Sequence, residues 1–261
     1  PASNVDMHNT AVGFNSMYAL TVGTQNTALG SYSLDANTTG ASNVAVGMQA
    51  LTANTTGTNN VAIGKTALNE NSTASNNIAI GRDAMNVNTT GSGNIAIGSQ
   101  ALDANTTASN NTVIGYLAAT TLNSGAENVI IGREAGKVAT SASDSVIIGS
   151  EAGKVLTTGS GNVALGYRAL MLNTTASNNT ALGKTAMYAN TTGASNSAIG
   201  LNALYSNTTG TYNIAIGQSA LYANTTNSYN TAVGTNALNA NTAATNTAFG
   251  YNAMLATTSG T

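Results

Sequence analysis

A glycine recurs at every seventeenth position along almost the whole chain, and this spacing constrains the fold more than any other feature. In most copies it closes the motif Asn-x-Ala-(Ile/Val/Leu)-Gly, and only the last copy comes one position early. The 261 residues therefore contain 15 copies of one unit, N-x-A-I-G-x-x-A-L-x-A-N-T-T-G-x-x, whose residues we number as positions 1–17. Repeats this short are typical of solenoids. The glycines are Gly13, Gly30, Gly47, Gly64, Gly81, Gly98, Gly115, Gly132, Gly149, Gly166, Gly183, Gly200, Gly217, Gly234 and Gly250.

Each unit predicts strand, turn, strand, turn, because Gly, Asn, Thr and β-branched residues disfavour a helix interior. The first strand is N-x-A-I, and the glycine at position 5 then turns the chain with a positive φ. The second strand is A-L-x-A, as in residues 101–104, followed by Asn-Thr-Thr and a second turn. We expect an all-β, parallel β-solenoid of 15 coils, with one seventeen-residue unit in each coil. Residues 1–8 form a lead-in, and residues 9–261 form one solenoid domain.

Equivalent side chains should stack in rows along such a solenoid, about 4.8 Å apart. Asparagines at positions 1 and 12 predict two amide ladders that hydrogen-bond between coils. The large apolar residues at positions 4 and 9 predict a core in which an isoleucine row faces a leucine row. The isoleucines are Ile63, Ile80, Ile97, Ile114, Ile131 and Ile148, and the row opposite is Leu34, Leu51, Leu68, Met85 and Leu102.

The first strand is apolar on both faces, as in Ile95-Ala96-Ile97, and such a strand is usually covered on both sides. We expect the isoleucines to pack inside the coil and the alanines to form a smooth outer face for another copy. The interpretation is a homo-oligomer, either a trimer or a filament. The alternative is a monomeric solenoid that tolerates small residues outside.

The segments NVAVG (43–47), NVAIG (60–64) and NIAIG (94–98 and 213–217) resemble the head repeats of trimeric autotransporter adhesins, the YadA-like repeats, and related repeats of bacteriophage tail fibres. The similarity covers residues 9–254. It implies a left-handed parallel β-roll and a trimeric rod. The seventeen-residue unit is longer than the usual adhesin repeat, so the NTTG turn is an expansion.

Composition excludes several classes of function. Charged residues make up 6% of the chain, against roughly 25% in an average soluble protein. The net charge of −2 and the lack of a basic stripe argue against nucleic-acid binding. No apolar run is long enough for membrane insertion. With no cysteine, one histidine (His8) and scattered carboxylates, we expect no enzyme, no cofactor and no metal site.

The NTT turns suggest two further hypotheses. Each has the N-x-T pattern of an N-glycosylation acceptor, although the repeated turn explains the same residues structurally. The threonine rows suggest a minor alternative, an ice-binding solenoid, but adjacent threonines leave only one outward row. The possible acceptors are Asn37, Asn54, Asn71, Asn88, Asn105, Asn173, Asn190, Asn207 and Asn224.

Two groups of side chains depart from the consensus. Half of the charged residues lie between Glu127 and Arg168, and they suggest an ion-pair network that fixes chain register in the oligomer, or a chance duplication. Tyr188, Tyr205 and Tyr222 share position 10 in three successive coils, and Tyr212 and Tyr229 share position 17. The column at position 10 suggests a surface for cell-surface glycans, or simply rings that pack on one another.

Together these observations predict a structural and adhesive extracellular rod, a segment of a tail fibre or surface adhesin that projects a recognition tip from a cell or virion. The alternative is a self-assembling extracellular filament of solenoid subunits stacked head to tail.

Overall fold

The computed structural model describes residues 7–256, and each repeat within that range contributes one three-residue strand and no helix. Valine, isoleucine and threonine dominate the strands, as expected of β-branched residues. The strands are Thr10–Val12 (β1), Thr27–Leu29 (β2), Val44–Val46 (β3), Val61–Ile63 (β4), Ile78–Ile80 (β5), Ile95–Ile97 (β6), Thr112–Ile114 (β7), Val129–Ile131 (β8), Val146–Ile148 (β9), Val163–Leu165 (β10), Thr180–Leu182 (β11), Ser197–Ile199 (β12), Ile214–Ile216 (β13), Thr231–Val233 (β14) and Thr247–Phe249 (β15).

The chain divides into two compact units, residues 1–126 and residues 127–261. In the first unit β1 to β7 pair in sequence order as parallel strands. In the second unit β8 to β15 do the same. Paired residues are separated by one full repeat, except that β14 and β15 pair one residue closer. The predicted all-β parallel solenoid is confirmed, whereas the left-handed winding, the trimer and the domain limits stay predictions.

The predicted second strand is wrong. Positions 6–11 form consecutive turns in which positions 7 and 9 have positive φ, as in Gln49 (58°) and Leu51 (54°). These turns still bond to neighbouring coils, because the Leu51 amide donates to Ala67 O at 3.0 Å and the Gln49 amide to Ser31 O at 2.9 Å. A left-handed leucine costs about 1–2 kcal/mol, and the bonds between coils and the burial of the side chain offset this cost.

The predicted orientation of the first strand is also wrong. Its central alanine points inward and is fully buried, as at Ala62, whereas the flanking Ile63 is 38% exposed. The isoleucine row that begins at Ile63 therefore lies outside, and only the leucine row is in the core. The coil is narrow, so an alanine is what fits opposite Leu68.

Two coils show this volume constraint directly. There Ile130 and Ile147 replace the inward alanine, and Gly136 and Gly153 replace the leucine at position 9. A Cβ added at Gly136 would lie 3.3 Å from Ile130 Cδ1. A large side chain can therefore stand on one side of the coil only when the other side is small.

Candidate functional site

The outer face of the sheet is uncharged and largely apolar. We define the outer sheet face as the first and third residues of each strand, which are Val, Ile, Leu, Phe, Thr or Ser throughout. Many of these side chains are exposed, including Leu29 (49%) in the first unit and Ile214 (41%) in the second. Contiguous apolar surface of this kind is unusual on a monomeric protein and is typical of an interaction surface.

The tyrosines at position 10 form a stacked column. The ring centroids of Tyr188 and Tyr205 are 5.1 Å apart with planes 5° from parallel, and those of Tyr205 and Tyr222 are 5.1 Å apart at 8°. All three side chains are half-buried. The leucines that precede Tyr205 and Tyr222 are fully buried, so the column lies over the core turn.

This spacing restricts what the column can bind. A sugar ring between two tyrosines would need van der Waals contacts of about 3.5–4.0 Å on each of its faces, more than 5.1 Å allows. The hydroxyl-bearing edges remain available for contact. The geometry therefore favours ring packing as the main role of the column, with glycan contact limited to its edge.

Tyr212 and Tyr229 form a second, more exposed stack. Their centroids lie 5.3 Å apart at 7°, and the residues are 57% and 61% exposed. Each stands two residues before a strand, beside the outer sheet face. The pair therefore extends the apolar surface of the second unit.

The asparagine ladders form as predicted. Asn43 donates its Nδ2 to Asn26 Oδ1 at 3.1 Å and to Gly57 O at 2.9 Å. Asn54, at position 12 of the same coil, donates to Asn37 Oδ1 at 2.9 Å and also to Gly57 O at 3.1 Å. The two asparagines of one coil thus converge on a single carbonyl and close the turn.

These bonds bear on the glycosylation hypothesis. Every proposed acceptor is at most 1% exposed, and its Nδ2 atom already donates to the carbonyl three residues later in the turn. A glycan replaces one of the two hydrogens on Nδ2 and needs space that these buried turns do not offer, so the structural explanation of the triplets fits the folded chain. The residues concerned are Asn37, Asn54, Asn71, Asn88, Asn105, Asn173, Asn190, Asn207 and Asn224.

One of the two threonine rows is also hydrogen-bonded between coils, like the asparagine ladders. The hydroxyl at position 13 donates to the backbone of the next coil, as from Thr38 to Thr55 O at 3.1 Å and from Thr89 to Thr106 O at 2.9 Å. The neighbouring row at position 14, which includes Thr39, is exposed. One outward row remains, as the alternation of side chains predicts.

Six of the seven charged residues from Arg133 to Arg168, all but Asp144, form a network within one chain. Glu134 accepts from Lys154 Nζ at 2.6 Å and from Lys137 Nζ at 3.1 Å. Glu151 accepts from Arg133 Nη2 at 2.5 Å and from Arg168 Nε at 2.7 Å. These pairs link three successive coils to one another. We call this group the charged cluster; it comprises Arg133, Glu134, Lys137, Glu151, Lys154 and Arg168.

The pairs shift the pKa values of the groups involved. Hydrogen bonds from Lys154 and Lys137 lower the pKa of Glu134 from 4.5 to about 2. Hydrogen bonds from Arg133 and Arg168 lower the pKa of Glu151, and the bond to Glu151 raises the pKa of both arginines. The two glutamates of the cluster therefore stay ionised at neutral pH.

A second group of neighbouring charged residues was missed in the sequence analysis. Asp83 accepts a hydrogen bond from the Thr66 hydroxyl and forms an ion pair with Arg82. The pKa of Asp103 is raised, first by burial and then by repulsion from Asp83. Asp83 and Asp103 are separated by one coil plus three residues, as are Glu134 and Lys154. That separation is the signal that would have found both contacts.

Within residues 7–256, no group of three or more His, Cys, Asp or Glu side chains is arranged to hold a metal ion. The same residues include no helix with the length and apolarity to cross a membrane. No family model, curated protein or solved structure matches the chain.

Proposed function

We propose that this chain is a structural and adhesive extracellular rod segment of a cell surface or virion, whose copies associate side by side through the outer sheet face. The observation that carries the proposal is that face itself, two uncharged rows of mostly large aliphatic side chains left exposed on each unit. Three copies is the number implied by the resemblance to adhesin heads and tail fibres.

A second copy of the chain is the partner that suits this face best. Its rows repeat at the spacing of the coils, so identical rows on another copy can match them along their length. Fully burying an exposed isoleucine contributes about 1.5–3 kcal/mol. Because outer isoleucines such as Ile214 are 41% exposed, each contact adds roughly 1 kcal/mol, and it recurs in coil after coil. Large aliphatic side chains thus take the role that the sequence assigned to alanine.

A mechanical role follows from the bonding between coils. Backbone amides on the strand and the core turn donate to adjacent coils, and both asparagine ladders add side-chain bonds in the same direction. Bending or shearing a coil must break several of these bonds together. Such a segment is suited to holding a recognition tip away from its base.

The experiment replaces outer isoleucines by threonine, the residue that already stands at this strand position in Thr112, Thr180 and Thr231. The variant carries Ile78→Thr, Ile95→Thr and Ile214→Thr. We expect the native chain to elute at three times the chain mass by light scattering, and the variant to dissociate at low concentration with its circular dichroism unchanged. The matched control, Thr112→Ile with Thr180→Ile, should associate at least as tightly as the native chain.

A monomeric native chain would contradict the proposal. Electron microscopy separates the alternatives, since discrete short rods support a fibre segment whereas indefinite filaments support head-to-tail polymers. Thermal hysteresis of ice growth would support the ice-binding alternative instead.

A further inference from the structure

We propose that the charged cluster binds an anionic polysaccharide through the carboxylate or sulfate groups of its sugars. This inference rests on the proposed adhesive role and names the chemical class of its ligand.

The cluster is layered, with the acids beneath the bases. The side chains of Glu134 and Glu151 are 14% and 8% exposed. The four basic side chains above them are 27–50% exposed, from Lys154 at the lower limit to Arg133 at the upper. A ligand that approaches from solvent therefore meets ammonium and guanidinium groups before it meets a carboxylate.

The cluster also carries a surplus of positive charge. Four cations stand over two carboxylates, in a chain whose net charge is −2. No aspartate or glutamate follows Glu151 in the sequence, whereas Lys184 adds a cation at position 6 of the coil after Arg168. The surplus belongs to the cluster and to Lys184, since Glu127 and Asp144 stand apart from it at position 17 of their coils. The cluster therefore attracts anions at short range.

Arg168 keeps donors for a ligand. Arg168 uses Nε for Glu151, and its guanidinium lies over the Tyr167 ring at 4.9 Å. Its two terminal amino groups can bond a carboxylate or sulfate in the two-pronged manner typical of arginine. The internal pairs hold the cations in place, so little side-chain entropy is lost when an anion binds.

A polymer of sugars fits the surface that continues from the cluster. Position 10 reads Lys137, Lys154, Met171, Tyr188, Tyr205 and Tyr222 in successive coils, so the basic end passes into the tyrosine column. Tyrosine edges offer hydroxyls that exchange hydrogen bonds with sugar hydroxyls. An extended chain of anionic sugars can contact both parts, charge at one end and hydroxyls at the other.

The test measures binding of dextran sulfate, polygalacturonate and uncharged dextran to the native protein at low salt. We expect at least one of the two charged polymers to bind, uncharged dextran to bind far more weakly, and added salt to weaken the binding. Lys137→Gln should weaken it by roughly fivefold, because one exposed cation is lost.

The matched control is Lys65→Gln, which removes an exposed cation from the first unit and should leave binding unchanged. Equal weakening by Lys65→Gln and Lys137→Gln, or no binding of either charged polymer, would overturn the proposal. Tighter binding of a single-stranded oligonucleotide than of both charged polymers would overturn the choice of polysaccharide. Light scattering on the same samples separates the outcomes, since a protein that assembles but binds no anionic polymer contradicts only this inference.

Discussion

Single residues carry the geometry of each coil, and the glycine at position 5 is the clearest case. Gly64 has a φ of 136°, and a Cβ placed on it would lie 2.4 Å from Gly81 O in the next coil. The glycine row is needed both for a backbone conformation closed to other residues and for the close approach of adjacent coils.

Replacing one glycine in this row should therefore destabilise the protein strongly. For Gly64→Ala we expect a loss on the order of 3 kcal/mol in the free energy of unfolding, from backbone strain and the collision with the next coil. Denaturant unfolding measures the loss. Gly93→Asn is the control, because Asn76 and Asn110 occupy that position in the adjacent coils with φ values of 62° and 61°, and the atom nearest to an added Cβ is a side-chain oxygen of Asn110. An equal loss there would contradict the argument.

Glu134 gives a prediction for pH. Its pKa is lowered from 4.5 to about 2 in the folded chain, so its ion pairs stabilise the fold fully above pH 4.5. That stabilisation is lost as the pH falls from 4.5 through about 2, because the unfolded state binds the proton first. Thermal unfolding followed over this range should show a decline that is smaller in Glu134→Gln. The exposed carboxylate variant Glu70→Gln should keep the native decline; identical pH profiles for all three proteins would refute the role of Glu134.

At the scale of the coil, the sequence predicted the period, the parallel pairing, the glycine turn and the asparagine ladders. Each of these depends on a residue type with one strong preference. The second strand was predicted wrongly because leucine rarely adopts positive φ, and nothing local in A-L-x-A reveals that Leu51 does so. The buried face of the first strand was also predicted wrongly. The alternation in Ile-Ala-Ile is compatible with either the isoleucines or the alanine pointing inward, and the alanine points inward only because the coil is narrow.

The candidate sites were predicted to a similar extent. The tyrosine column and the charged cluster were visible because their members share positions in successive coils. The register role expected of the cluster between chains stays a prediction, whereas its pairs within the chain link each coil to the next. Glu134 and Lys154 are separated by one repeat plus three residues, so their contact depends on the direction in which the side chains of the turn point. The repeat period alone does not predict that direction.

The tyrosine column should stabilise the coils that it joins. Asparagine replaces these tyrosines without loss of a partner, because Asn239 at the same position donates to Ser219 O at 2.9 Å. The triple variant Tyr188→Asn, Tyr205→Asn, Tyr222→Asn should lose on the order of 2 kcal/mol from two stacked contacts. Calorimetry measures the loss, and the exposed pair Tyr212→Asn, Tyr229→Asn should lose less. A triple variant as stable as the native chain would refute the packing role, and unchanged attachment to glycan arrays would remove the column as a binding surface.

At the scale of the whole molecule, the repeat should tolerate deletion of one complete coil but not of part of a coil, because only a complete coil preserves the register of the rows. Removing residues 60–76 brings Asn77 into the place of Asn60 and preserves each row, so we expect a cooperatively folded protein with a slightly lower unfolding temperature. Removing residues 60–67 instead places Leu68 where Asn60 stood and should abolish cooperative unfolding. Circular dichroism during heating distinguishes the two, and equal behaviour of both deletions would contradict the register argument.

The asparagine ladders also bear on chemical ageing. Asparagine deamidates when the backbone nitrogen of the next residue attacks the side-chain carbonyl, a reaction that is fastest when that residue is glycine. No asparagine in this chain precedes glycine, and in the ladders the amides are buried and bonded to the coils on either side. The attack would require a coil to open first, so the bonds that build the solenoid also slow its decay. Slow decay of this kind suits the extracellular role proposed above, because no synthesis replaces a damaged copy there.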